Sequence, residues 1–171
     1  MFASMTLLAM LDILTAFMAL VAEKHGVTPE NVGVLLAIRG FASVISRLFI
    51  PKLSAHFERN HLLVTSLWVS GIAIALAPAF IDSLWAAGVA LLVGGFFLGL
   101  GQPMTMTMIS TSVPAVDRGA ALAVRLMGNR VGQVALPVIS STVAAGLGPA
   151  GAIWFCCALL CLSGAEKGLR R

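Results

Sequence analysis

The chain has 171 residues, 59% of them hydrophobic and only 11% charged, with a mean hydropathy of +1.00. Soluble domains carry about 25% charged residues, and a chain this short cannot hide so much apolar surface in a core, so composition excludes a soluble globular protein and points to an integral membrane protein. The net charge of +4 does not signal nucleic-acid binding, because Lys and Arg are scattered between apolar runs and form no patch.

Six runs approach the roughly 20 mainly apolar residues that a membrane-crossing helix needs: 3–22, 31–53, 62–80, 84–107, 118–144 and 150–165. They are continuous rather than alternating, which excludes a transmembrane β-barrel and leaves helices, because lipid offers no partner for an open backbone. The expectation is an all-α membrane protein, a single six-helix domain over 1–171. Its connections are short and carry breakers or charges: "EKHGVTPEN", "SAHFERNH", "APAFIDS", "STSVPAVD" and "GLGPAG".

The first run has no basic residue ahead of it, so it reads as a retained helix rather than a cleaved signal peptide, and Asp12 interrupts it. The second holds Arg39, with Arg47 and Lys52 toward its end and Arg59 in the following loop. The third, "LLVTSLWVSGIAIALAPAF", has no charge. The fourth carries Gly95 and Gly99, a small-xxx-small pair that lets two backbones approach, and Pro103, which removes a helix hydrogen bond. The fifth follows Arg118 and contains "AVRLMGNRVGQVALPV": Arg125, Asn129, Arg130 and Gln133, a second small pair at Gly128 and Gly132, and Pro137. The sixth, "AIWFCCALLCLSGA", holds Cys156, Cys157 and Cys161 without metal-ligand spacing, as small apolar filler. The charge-free third and sixth helices suit the lipid side; the charged first, second and fifth should line an interior.

Six spans put both termini on one side. That side collects Arg47, Lys52, Arg59, Arg118, Lys167, Arg170 and Arg171; the other holds only Lys24. The bias makes the first side, with both termini, cytoplasmic. With no transit peptide, a bacterial-type plasma (inner) membrane is the expected location.

An Arg at a helix centre costs about 2.5–3.5 kcal/mol on insertion scales, so Arg39, Arg125 and Arg130 together cost about 8–10 kcal/mol if exposed to lipid. They must face protein or water. At about 1.5 Å per residue, Arg125 lies roughly 10 Å and Arg130 roughly 18 Å in from Arg118. Arg125, Asn129 and Gln133, spaced by four, form a polar stripe, and Arg130, about 140° round from Arg125, faces elsewhere. Asp12 is the only acid deep in a span and the natural partner for one of these arginines. These residues read as a substrate or proton path; the structural alternative is a buried ion pair or hydrogen-bond glue between helices. His25, His56 and His61 fall in loops. No metal-ligand set, phosphate loop or nucleophile–base pair is visible, so no enzymatic chemistry and no cofactor is expected.

"LGLGQPMTMTMISTSVPAVDRGAALAVRLMGNRVGQVALPVISS" resembles the tenth and eleventh helices of the major facilitator superfamily, with its proline–Arg-Gly cytoplasmic turn and a "GNR.GQ…P" eleventh helix. "AIRGFASVISRLFIPKLSAHFERNHLLV" is similar to its eighth helix and following loop. There the family's loop signature is degraded: Ala55 stands for its acid, His56 for an Arg and Glu58 for a Gly, while Arg59 is kept. Leu136, Ser140 and Ser141 stand where the family's antiporters carry glycines. The resemblance implies a secondary transporter of small solutes working by alternating access, with a lean toward proton-coupled efflux. It also implies one half of a twelve-helix fold, completed by an N-terminal six-helix half or a second copy, or else a truncated gene product. A six-helix membrane scaffold without transport is the competing expectation; an intramembrane enzyme lacks the residues.

Overall fold

The computed structural model describes residues 2–169, and every regular element among them is helical. The helices are α1 (Phe2–Lys24), α2 (Pro29–His56), α3 (Arg59–Ala79), α4 (Leu84–Ser112), α5 (Arg118–Leu147) and α6 (Pro149–Leu169), with a short 3₁₀ turn at Ala115–Asp117 before α5. All six are long and apolar enough to cross a membrane. Arg170 and Arg171, counted in the charge bias, lie outside the described residues.

The connections are shorter than the apolar runs alone imply, because helix continues through much of the polar sequence. Phe57 and Glu58 alone separate α2 from α3, so His56 ends α2, Arg59 starts α3 and His61 lies in its first turn. Arg47 and Lys52 lie within α2, and Arg118 is the first residue of α5. Gly148 joins α5 to α6 alone. Its φ of 81° is open to glycine, its N–H caps Ala144 at 2.9 Å, and Pro149 starts the next helix. Helix also runs unbroken past Pro103 and Pro137.

The bundle is organised around α4, which packs along both α2 and α3. Its glycines set the spacing. A Cβ on Gly95 would stand 2.5 Å from the Arg39 carbonyl oxygen, and one on Gly99 2.7 Å from that of Ser43, so α2 lies backbone-close along this face. A Cβ on Gly94 would meet Ile74 of α3, and one on Gly101 would meet Leu7 of α1. The core between these helices is filled by Leu7, Met10, Leu14 and Met18 of α1, Leu67 and Ile74 of α3, Leu91 of α4 and Ile153 and Leu160 of α6.

Two layers result. α3 and α6 form the back, each with an outward apolar stripe four residues apart: Trp68, Ile72 and Leu76 on α3, Trp154, Ala158 and Leu162 on α6. The Trp154 indole N–H donates to the Ala75 carbonyl at 3.0 Å and ties the two together. At the front α2 and α5 do not touch each other, and α1 and α4 stand between them. Only 17% of the α2 span and 11% of the α5 span are buried, against at least half of each of the others. The helices carrying most of the charge at membrane depth are thus the most open ones.

Because backbone rather than a flexible tip faces Gly95, Gly95→Ala should lower unfolding stability in detergent by about 1–3 kcal/mol. Gly33→Ala on the open side of α2, with no atom within 4 Å, should be neutral or stabilising by up to about 1 kcal/mol. Thermal melts followed by helical circular dichroism compare the two; equal effects would remove α4 as the spacing element.

Candidate functional site

The polar residues of the spans form two groups on the front half of the bundle. The first is buried between α1, α4 and α5. Arg125 is only 7% exposed and Asn129 only 2%. One Arg125 amine, Nη2, donates to the Thr105 hydroxyl at 2.8 Å and to the Gln102 carbonyl at 3.4 Å. The Ser4 hydroxyl donates to Asn129 Oδ1 at 2.9 Å. Spacing explains the pair: residues four apart on α5 point the same way, here into the seam where α1 and α4 meet. Gly132, one turn further on, lets Met5 of α1 come close; Gly128 sits farther off, 3.8 Å from the Met5 sulfur for an added Cβ. Ser4, Gln102 and Thr105 do not stand out in the sequence, because lone Ser and Thr are ordinary in membrane helices and nothing local marks which of them meets a charge.

The second group is exposed. Arg130 Nη1 donates to Gln133 Oε1 at 2.9 Å, and Gln133 Nε2 donates to Asp12 Oδ2 at 3.0 Å. The expected stripe of Arg125, Asn129 and Gln133 therefore splits. Each step of four residues drifts about 40° round a helix, so Gln133 sits about 80° from Arg125 but about 60° from Arg130. It joins Arg130, and that arginine reaches Asp12 through an amide rather than directly. Asp12 is exposed on the front of α1, while Ile13 and Leu14 beside it are buried in the core.

Arg39 on α2 is half-buried, and Asp12 is the acid that acts on it electrostatically. The two make no ion-pair contact, and Arg39 Nε and Nη1 have no hydrogen-bond partner among the described residues. Asp12 thus stands between Arg39 on α2 and Arg130 on α5, linked by hydrogen bonds to the α5 side only. Beside Arg130, Val131, Val134, Ala135, Val138 and Ile139 present an open apolar face along α5.

At the other end of the bundle, His25 Nδ1 and Asp82 Oδ1 are 2.8 Å apart, tying the α1–α2 turn to the α3–α4 turn. Cys156, Cys157 and Cys161 are free thiols packed in α6, and Cys156 Sγ lies 3.5 Å from the Ser140 hydroxyl of α5. Among the described residues no group of three His, Cys, Asp or Glu side chains is placed to hold a metal.

Thr105→Val removes a neutral acceptor from a buried guanidinium and should cost about 1–3 kcal/mol. Thr111→Val at the exposed end of α4, where the hydroxyl only bonds its own helix, should change stability by less than about 0.5 kcal/mol. Denaturant or thermal unfolding of the two purified variants measures the difference.

A protein-family model described as Major Facilitator Superfamily matches residues 1–165. No curated protein and no solved structure matches the chain.

Proposed function

The chain belongs to the major facilitator superfamily, a family of membrane transporters rather than enzymes, and from that premise we propose that it moves a small solute across the bilayer by alternating access. The observation that carries this reading is the row Arg39, Asp12, Gln133 and Arg130 on the open front of the bundle. Charged groups at this depth are costly against lipid, and the helices beside them, α2 and α5, leave most of their length uncovered. A second six-helix half, within the same polypeptide or as a separate chain or a second copy, is the cover that keeps lipid away and closes a cavity over the row.

The chemistry of the row suits proton-coupled efflux. Asp12 is the one carboxylate well inside a span. Ionised, it accepts the Gln133 amide and draws α5 toward α1; protonated, it loses its attraction for Arg39 and Arg130. Gln133, whose Oε1 accepts from Arg130 while its amide donates to Asp12, would pass that change between the two helices. The neutral Val131–Ile139 face of α5 suits an amphipathic solute with a polar end at the row. Arg125 and Asn129, buried behind the row, back the same pathway from the seam of α1, α4 and α5. Arg47, Lys52, Arg59 and Arg118 mark the cytoplasmic side of a plasma or inner membrane, with both termini on that side.

Everted vesicles carrying the assembled transporter, energised with a pH gradient and challenged with a panel of amphipathic solutes, test the reading. At least one solute should discharge the gradient. Asp12→Asn and Arg130→Leu should each reduce that discharge about tenfold or more, the worth of a hydrogen bond to a charged group, with unchanged amounts of protein in the membrane. Wild-type flux in both variants removes the row from the mechanism; no flux for any solute leaves a scaffold as the better description.

A further inference from the structure

The buried group between α1, α4 and α5 has an imbalance that the transport reading does not use. Arg125 brings a full positive charge, and among the described residues no carboxylate pairs with it. Asp12 is engaged by Gln133. Asp117 is exposed at the start of α5, about 12 Å along the helix. The contacts that Arg125 does make, to the Thr105 hydroxyl and the Gln102 carbonyl, are neutral.

Three buried polar atoms in this group have no hydrogen-bond partner: Arg125 Nε, Asn129 Nδ2 and Gln102 Nε2. All three are donors. They come from neighbouring places: Asn129 lies one turn from Arg125 on the same side of α5, and the carbonyl of Gln102 is already bonded by the guanidinium. A water molecule could accept from one or two of them, but its own hydrogens would need acceptors, and it would leave the charge uncompensated. A small anion accepts from all three and neutralises the guanidinium, which the high cost of an uncompensated buried charge demands. We infer that the Arg125, Asn129 and Gln102 side chains form a binding site for a small monovalent inorganic anion of the halide or nitrate class. One guanidinium matches one negative charge. The near-complete burial of Arg125 and Asn129 restricts the ligand to a few atoms. The site lies behind the exposed row and stands whether or not that row carries solute.

The experiment compares thermal unfolding of the purified full chain in chloride and in gluconate at equal ionic strength, since gluconate is too large for the site. Chloride should raise the melting temperature saturably by about 5 °C, with bromide and nitrate behaving alike. Asn129→Leu should weaken the chloride response at least about tenfold in midpoint concentration. Gln102→Glu keeps the variant testable if loss of donors impairs folding, because its carboxylate supplies the missing negative charge. It should be as stable in gluconate as the wild type in chloride, and insensitive to chloride. Identical wild-type melting in chloride and gluconate would overturn the proposal and leave water in the cluster. A full wild-type chloride response in both variants would overturn it equally, by placing the anion elsewhere.

Discussion

A guanidinium inside a bilayer has no solvent to fall back on, and much of this structure answers that constraint. Three arginines lie deep in the spans, and each is met by different partners. Arg125 is enclosed in a seam of three helices and met by hydroxyl and carbonyl oxygens. Arg130 is turned along the helix surface to an amide that leads to a carboxylate. Arg39 is half-buried at the edge of α2, within the field of the same carboxylate. Asp12 is hydrogen-bonded to the α5 side and lies within electrostatic reach of α2, so its position on the front of α1 sets the middle of the polar row.

Enclosing charge requires helices to come close, and glycine permits it. In lipid, helices gain little from hiding apolar side chains, so close packing and hydrogen bonds must hold them. α4 concentrates this: Gly94 faces α3, Gly95 and Gly99 face α2, and Gly101 faces α1. The same device recurs between α3 and α6, where a Cβ on Gly71 would meet the Cys157 carbonyl at 3.2 Å, and between α5 and α1 at Gly132. The result is a back layer buried over about half of its length and a front whose outer helices are mostly uncovered.

That asymmetry links packing to function. A wholly lipid-facing bundle gains nothing from placing its charge on its least covered helices. In the proposed transporter the uncovered side would be where a second half meets it and where solute passes. The apolar stripes of α3 and α6 and the polar row between α2 and α5 lie on opposite layers, so one surface suits lipid and the other does not.

Much of this was legible in the chain. The number of helices, their approximate extent and the absence of strands follow from apolar runs long enough to cross a bilayer, because lipid forces each segment to satisfy its own backbone. The cost of charge at membrane depth likewise singles out Asp12, Arg39, Arg125 and Arg130 from their positions in the apolar runs alone. Helix ends were less legible, since polar residues such as His56, Arg59 and His61 continue helices that emerge beyond the apolar zone. Partners were not legible. That Arg125 meets Thr105, that Asn129 meets Ser4, and that Gln133 joins Arg130 and Asp12 depend on how three helices rotate against one another. A drift of about 40° per four residues moved Gln133 from one group to the other. The sequence determined which side chains are costly against lipid, because that cost is local to each residue; only the tertiary structure decided what each one meets, because that depends on the packing between helices distant in the chain.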